Sequence, residues 1–202
     1  IMLRAGPYGD KFCGNGLTLA QLKQEPHGID LGPLEPRFPE LLATKFKRID
    51  IAPDIITGDL PRLRAALKKG PGDHMLLIGR RHIRDMNSWL HNLNNYARGK
   101  NRCTLLINPQ DAQRIGLTDG GMARIRSRVG EFAAEVAISD GIMPGVVSLP
   151  HGFGPTYRNT QQSVASTLTP GISANDLVDD NEMDVPSGTS VVNGVPVEIT
   201  AA

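Results

Sequence analysis

The chain has 202 residues, of which 22 are Lys or Arg and 21 are Asp or Glu, so its net charge is only +1. That charge argues against a general binder of nucleic acid or of membrane surfaces, and no apolar stretch is long enough to span a membrane. The length suits one domain with an appendage, and the 22 Gly and 15 Pro favour short strands with many turns.

The first part of the chain, 1–58, is loop-rich because Pro and Gly recur throughout 25–39. We expect it to wrap over another domain rather than to build a core of its own. A short helix is predicted over 59–70, with Asp59 as its N-cap and Gly70 after its last turn. Three leucines share one face of this helix: Leu60, Leu63 and Leu67.

Downstream of this helix the pattern predicts a small barrel of short strands. Brief apolar runs predict buried strands at 75–78 and 104–107, and a further strand is predicted at 145–150. Asn108 caps a predicted helix of one to two turns that ends at Gly116. The polar segment 151–174 is predicted to be a long loop, and 188–200 to form two short extended pieces around the turn at Asn193 and Gly194.

A hairpin is predicted around a two-residue turn at Val129 and Gly130, because this register gives one apolar face and one face with opposite charges across the strands. The expected pairs are Arg128 with Glu131, Arg124 with Glu135, Ala123 with Val136, Ile125 with Ala134, and Ser127 with Phe132.

An arginine-rich loop follows the first predicted strand and should emerge at one end of the barrel. Its arginines offer fork-shaped donors that suit phosphate oxygens, and neutral polar side chains beside them suit the edge of a heterocycle. On composition alone, a solvated basic loop is the favoured interpretation, and a nucleic-acid-binding loop is a further one. The charged and polar residues concerned are Arg80, Arg81, Arg84, Asn87, Ser88, His91 and Asn92.

A second polar segment follows the strand at 145–150. Gly152 and Gly154 permit a close backbone approach, and His151 offers a donor and an acceptor at a strand end. Alone, these residues fit a structural histidine as well as a binding site. The acidic run at 173–184 lacks the spacing of a calcium loop, and no catalytic motif or metal-ligand cluster is present.

Taken in order, five stretches resemble the C-terminal region of the dimethyl sulfoxide reductase family of molybdopterin oxidoreductases, which includes formate dehydrogenases and nitrate reductases. The resemblance covers roughly 73–199, and its order and spacing are more specific than any single motif. A weaker match lies at 26–34. The stretches are 76–92, 107–120, 140–154, 175–178 and 184–189.

The resemblance implies a mainly β fold, a double-psi β-barrel with short helices, preceded by a loop-rich segment with one short helix. The domains would be 1–71, a wrapping segment, and 72–202, the barrel. This barrel would close over a molybdopterin guanine dinucleotide cofactor that carries molybdenum. The residues expected to contact it are Arg80, Arg81, Arg84, Asn87, Ser88, His91, His151, Gly152 and Asn175.

Neither Cys13 nor Cys103 matches the family's molybdenum ligand or its iron–sulfur cysteines. We therefore expect no catalytic residue and no metal ligand here, an inactive fragment without bound cofactor, and a partner in the missing N-terminal domains, where an iron–sulfur cluster could lie. The parent would perform two-electron redox chemistry at molybdenum, in the cytoplasm. The alternative is a free-standing double-psi barrel that acts as a binding module.

Overall fold

The computed structural model describes residues 1–70, 72–154 and 160–202. The chain divides into two compact units, Ile1–Ile51 and Ala52–Ala202. The domain boundary that the sequence predicts between 71 and 72 remains a prediction, since Pro71 lies outside the described residues.

The first unit contains two short helices, α1 (Met2–Ala5) and α2 (Leu19–Gln24). Thr18 begins α2 with a capping box, in which its hydroxyl accepts from the Gln21 backbone N–H and the Gln21 side chain accepts from the Thr18 backbone N–H. Within this unit only Gly9 and Asp10 are buried. The first unit is therefore held by local polar contacts and has no apolar core.

The second unit begins with α3 (Asp54–Thr57) and α4 (Leu60–Lys69). The helix predicted at 59–70 is thus confirmed, although the Asp59 side chain pairs with Arg62 and makes no cap. The structure adds three further short helices, α1, α2 and α3, to the one that the sequence predicted in 1–71. The predicted leucine face is exposed, at 41%, 50% and 73% for Leu60, Leu63 and Leu67.

Six short strands close into a barrel, which confirms the predicted architecture. Their order around the barrel is β1-β5-β2-β4-β3-β6. β1 runs parallel to β5 and β2 runs parallel to β4, whereas the other neighbouring pairs are antiparallel. The strands are β1 (Met75–Arg80), β2 (Thr104–Ile107), β3 (Met122–Arg126), β4 (Glu131–Ile138), β5 (Val146–Pro150) and β6 (Val195–Ala201).

The barrel interior holds the apolar core. Alternate side chains along each strand point inward, and the core side chains of Leu105, Ile107, Ile125 and Val147 have no measurable exposure. Packing of this kind is the main source of stability in a domain of this size.

Short helices connect the strands: α5 (Asn94–Ala97), α6 (Pro109–Ile115), α7 (Ser163–Leu168) and a 3-10 turn at Ala174–Leu177. α6 is confirmed, because the Asn108 side chain accepts from the Gln110 N–H and Gly116 is left-handed. The long loop predicted at 151–174 was wrong where α7 forms, and its part at 155–159 lies outside the described residues. Asn92 Oδ1 accepts the Val164 and Ala165 N–H groups, a long-range cap that local sequence does not reveal.

The predicted hairpin exists, but its register was wrong by two residues. Ala123 pairs with Ala134 and Ile125 pairs with Phe132. The Ser127 hydroxyl accepts from the N–H groups of Val129 and Gly130, and the Ser127 N–H donates to the Gly130 carbonyl. The two-residue turn therefore lies one residue earlier than predicted, at Arg128 and Val129. Because side chains alternate with a period of two, this register shift keeps the apolar and charged faces as predicted.

The two extended pieces predicted at 188–200 were also only half right. β6 covers the second piece, while the first contributes a single bridge between Met183 and Ser190. Asn193 Oδ1 accepts from the Gly79 N–H at 2.7 Å, so the turn between the pieces is fastened to β1.

Candidate functional site

The parallel strands β1 and β5 end side by side, with Arg80 opposite Pro150. The loops that follow them, 81–93 and 151–154, therefore leave the barrel at the same end. Almost all of the predicted site residues lie in these loops, and Asn175 lies in the nearby 3-10 turn.

Arg80 turns its guanidinium toward the protein. Nη1 donates to the Ser148 carbonyl at 2.5 Å, and Nη2 donates to the Thr104 carbonyl at 2.7 Å and to the Thr104 hydroxyl at 3.0 Å. Burial lowers the pKa of this guanidinium. Arg80 thus ties β1 to β5 and β2, and its role in ligand binding remains a prediction.

Arg81 is exposed beside Asn87, and its Nη1 donates to the Asn87 side-chain oxygen. Two clefts adjoin these residues. A cleft of about 420 Å³ runs along the loop 81–93, and Arg81, His82, Asn87 and His151 are among its lining residues.

A second cleft of about 190 Å³ lies between the end of β1 and the 3-10 turn, and Asn175 helps to line it. Arg81 and His151 line both clefts. The two spaces therefore meet at a guanidinium and an imidazole, which is an arrangement that suits a ligand with an anionic centre and two arms.

The remaining predicted side chains, Arg84, Ser88 and His91, line neither of the two clefts. Arg84 is exposed and donates to the Asn95 carbonyl at 3.2 Å. Ser88 is half-buried. His91 is fully buried, with its ring centroid 4.4 Å from that of Phe153. Contact between a ligand and these three side chains remains a prediction.

Gly152 brings the two loops into contact. Its φ is +92°, and a Cβ built on it would lie 2.0 Å from the Asn87 carbonyl oxygen. Only glycine fits this approach. The close backbone approach expected from the sequence is therefore confirmed, and the partner is the arginine-rich loop.

Asp85 was missed by the sequence analysis, although it also lines the larger cleft. It is buried, and its Oδ1 lies 2.9 Å from Arg102 Nη2. Oδ2 is buried without a hydrogen-bond partner in the described part of the chain. The signal in the sequence was a single carboxylate among three arginines and two histidines. It was not sufficient, because the partner of Asp85, Arg102, lies 17 residues further along the chain.

Neither a metal-binding cluster nor a membrane-spanning helix occurs among the described residues. In 1–70, 72–154 and 160–202 no group of three or more His, Cys, Asp or Glu side chains could hold a metal ion. Across the same ranges, no helix combines the length and the apolar character that a membrane crossing requires.

Residues 75–196 match the family model described as the molydopterin dinucleotide binding domain. A tetrathionate reductase subunit of Salmonella typhimurium strain LT2 is 33% identical over 109 residues, which are 46% of this chain and 11% of that protein. ArrA, the molybdopterin-containing part of the arsenate respiratory reductase of Shewanella sp. strain ANA-3, is 36% identical over 89 residues, which are 44% of this chain and 10% of ArrA. The matched part thus spans about a tenth of either relative.

Among solved structures, acetylene hydratase from Pelobacter acetylenicus superposes with a TM-score of 0.53 at 19% identity, over 72% of this chain and 20% of that one. This likeness concerns the fold alone. The barrel is a double-psi β-barrel, as the sequence predicted.

Proposed function

Because the chain belongs to the family of molydopterin dinucleotide binding domains of molybdopterin oxidoreductases, we propose that the two clefts at the barrel end hold one molybdopterin dinucleotide. Its pyrophosphate would lie at Arg81 and His151. The observation that carries this proposal is that these two side chains line both clefts.

The chemistry of the site fits such a group. The Arg81 guanidinium offers planar donors to phosphate oxygens. The larger cleft has room for one heterocycle. The Asn175 amide lines the smaller cleft, where it can donate hydrogen bonds to a second heterocycle and accept them from it. The buried Asp85 Oδ2 has no donor among the described residues, so a ligand donor there would relieve a costly unpaired group.

When bound, the cofactor supplies two-electron redox chemistry at molybdenum, in its guanine dinucleotide form. The residues of this chain bind and orient it. Arg81 and His151 contact the phosphates, Asn87 positions Arg81, and Asn175 contacts a ring. Arg80, His91 and Gly152 would hold the loops, and the cofactor contacts of Arg84 and Ser88 remain predictions.

The parent protein would be an oxidoreductase of the formate dehydrogenase or nitrate reductase kind, and this chain alone would be inactive. The matched relatives, named for tetrathionate and arsenate, add oxyanion reduction as a candidate activity. The exposed apolar side chains of the first unit, such as Leu34 and Phe46, would contact the other domains of the parent, where an iron–sulfur cluster could lie. A free-standing binding module, the alternative, could use the same surface for another partner.

The test compares two exposed arginines, one in the arginine-rich loop and one outside it. Arg81→Ala should weaken the binding of inorganic pyrophosphate and of guanosine diphosphate to the chain by about ten- to hundredfold, because it removes a charge-assisted hydrogen-bond donor. Isothermal titration calorimetry measures this directly.

Arg98→Ala is the matched control, since Arg98 is exposed, lies outside the loop 81–93 and is not among the lining residues of either cleft. It should leave both affinities within about twofold of the unmodified chain. The proposal fails if Arg81→Ala binds as well as the unmodified chain, or if the unmodified chain binds neither ligand.

A further inference from the structure

We infer that Asp85 is a positioning residue, which, paired with Arg102, holds the loop 81–93 in the shape that presents Arg81 to a bound anion. The identity of that anion rests on the proposed function, whereas the order of the loop does not. Neither Asp85 nor Arg102 was among the residues that the sequence suggested.

The contact between the Asp85 and Arg102 side chains is short and largely buried. Arg102 Nη2 and Nε donate to Asp85 Oδ1 at 2.9 and 3.1 Å. The two side chains are only 10% and 3% exposed. An exposed ion pair holds a loop weakly, but removal of one partner of a buried pair leaves an unpaired charge. The loop conformation is therefore strongly coupled to this contact.

The pair lies at the base of the loop. Arg102 belongs to the segment that enters β2, and its carbonyl accepts from Arg80 Nη2 at 3.4 Å. Arg80 also holds Thr104 at the start of β2. Two separate contacts thus fasten the arginine-rich loop to the entry of β2, one from Arg80 of β1 and one from Asp85 of the loop itself.

A third side chain, His91 of the same loop, lies beside the same carboxylate. His91 Nε2 lies 3.0 Å from Asp85 Oδ1, without the alignment of a hydrogen bond. The His91 ring packs on Phe153, which follows the glycine that contacts the Asn87 carbonyl. Asp85 therefore sits where the loop after β1, the entry of β2 and the loop after β5 come together.

The pair also sets the charge of the larger cleft. Asp85 is the acidic residue among those that line it, and an uncompensated carboxylate there would repel a phosphate. Arg102 neutralises it. The pair thus fixes the loop that carries Arg81 without leaving an uncompensated negative charge beside the anion.

The experiment measures loop order without any ligand. Asp85→Asn and Arg102→Met should each speed amide hydrogen exchange in 81–93 by about tenfold or more, while the barrel strands stay protected. Trp89, the only Trp of the chain, is 74% exposed in this loop, so its fluorescence anisotropy should fall in both variants.

The same variants should weaken pyrophosphate binding by about tenfold, and Arg102→Lys, which keeps the charge, should recover part of the loss. The double variant should be no worse than the worse single variant, because the two residues act as one unit. Arg114→Ala is the control, since Arg114 also donates to a buried aspartate, Asp111, at 2.9 Å.

Unchanged loop exchange in Asp85→Asn and Arg102→Met would overturn the inference, as would the same loss in Arg114→Ala or faster exchange with unaltered pyrophosphate affinity. The strand amides show in the same measurement whether each variant is folded, and the near-isosteric Asp85→Asn decides if Arg102→Met does not fold. Failure of the unmodified chain to bind pyrophosphate counts against the proposed function, and loop exchange then still decides whether the pair orders the loop.

Discussion

The two units of the chain differ in whether they bury their apolar side chains. In the first unit only Gly9 and Asp10 are buried, and Leu34 is 99% exposed. In the barrel, Leu105 and Ile107 are fully buried. The barrel therefore carries its own core, whereas the first unit relies on polar contacts, so stability should respond to substitutions in the barrel and hardly to those in the first unit.

The largest expected effect tests this contrast directly. Leu105→Ala should lower the free energy of unfolding by about 2–5 kcal/mol, because it opens a cavity in the core. Leu34→Ala, the same change at an exposed site, should stay within about 0.5 kcal/mol. Urea unfolding followed by circular dichroism measures both. Equal losses would show that the first unit shares the core.

A smaller effect tests whether the tight packing of the barrel extends into its binding loops. Gly152→Ala should cost about 2–4 kcal/mol, since it adds a clash with the Asn87 carbonyl to the strain of a positive φ. Gly194→Ala is the control, because its φ is +76° and nothing lies within 4 Å of the added Cβ. It should cost about 1 kcal/mol. Similar losses in thermal unfolding would contradict the loop contact.

The smallest expected effect comes from a comparison of two ion pairs, Arg128 with Asp179 in the second unit and Arg4 with Asp10 in the first. Arg128 holds the pKa of Asp179 at about 2, below the usual 3.8. A lowered carboxyl pKa stabilises the folded state above about pH 4, and this stabilisation declines as the pH falls toward 2. Asp179→Asn should therefore lower the unfolding midpoint at pH 7 and flatten its dependence on pH between about 4 and 2.

The counterpart in the first unit is Asp10, whose pKa the hydrogen bond from Arg4 lowers. Asp10→Asn should leave the unfolding midpoint of the barrel unchanged and speed exchange of the Phe12 amide, which donates to Asp10 Oδ1. Exchange measured by NMR separates the two outcomes. An equal shift of the midpoint in both variants would mean that the two units unfold together.

Features set by neighbouring residues could be predicted from the sequence. The helix after Asn108 and the barrel strands follow from caps and apolar runs that lie within a few residues. The hairpin faces were also predictable, but its register depended on the Ser127 hydroxyl, which closes the turn. The register could not be read from charge pairing alone, because a shift of two residues preserves both faces.

The candidate site likewise has features that the sequence indicates and features that only the fold creates. The sequence indicated the arginine-rich loop, and the structure places Arg81 and His151 at the junction of two clefts. The sequence did not indicate that the Arg80 guanidinium turns toward the protein. Its acceptors are backbone carbonyls of other strands, which only the fold brings near. Asp85 was missed for a related reason, because its importance depends on Arg102, which only the fold brings near.

The closed strand order has a consequence for how this protein meets other molecules. Each of the six described strands has a hydrogen-bonded neighbour on both sides, so the sheet offers no free edge to an incoming strand. Association by strand addition, and the aggregation that exposed edges invite, are both disfavoured. Any partner must instead engage side chains and loops, so recognition can change with the loops while the barrel stays constant.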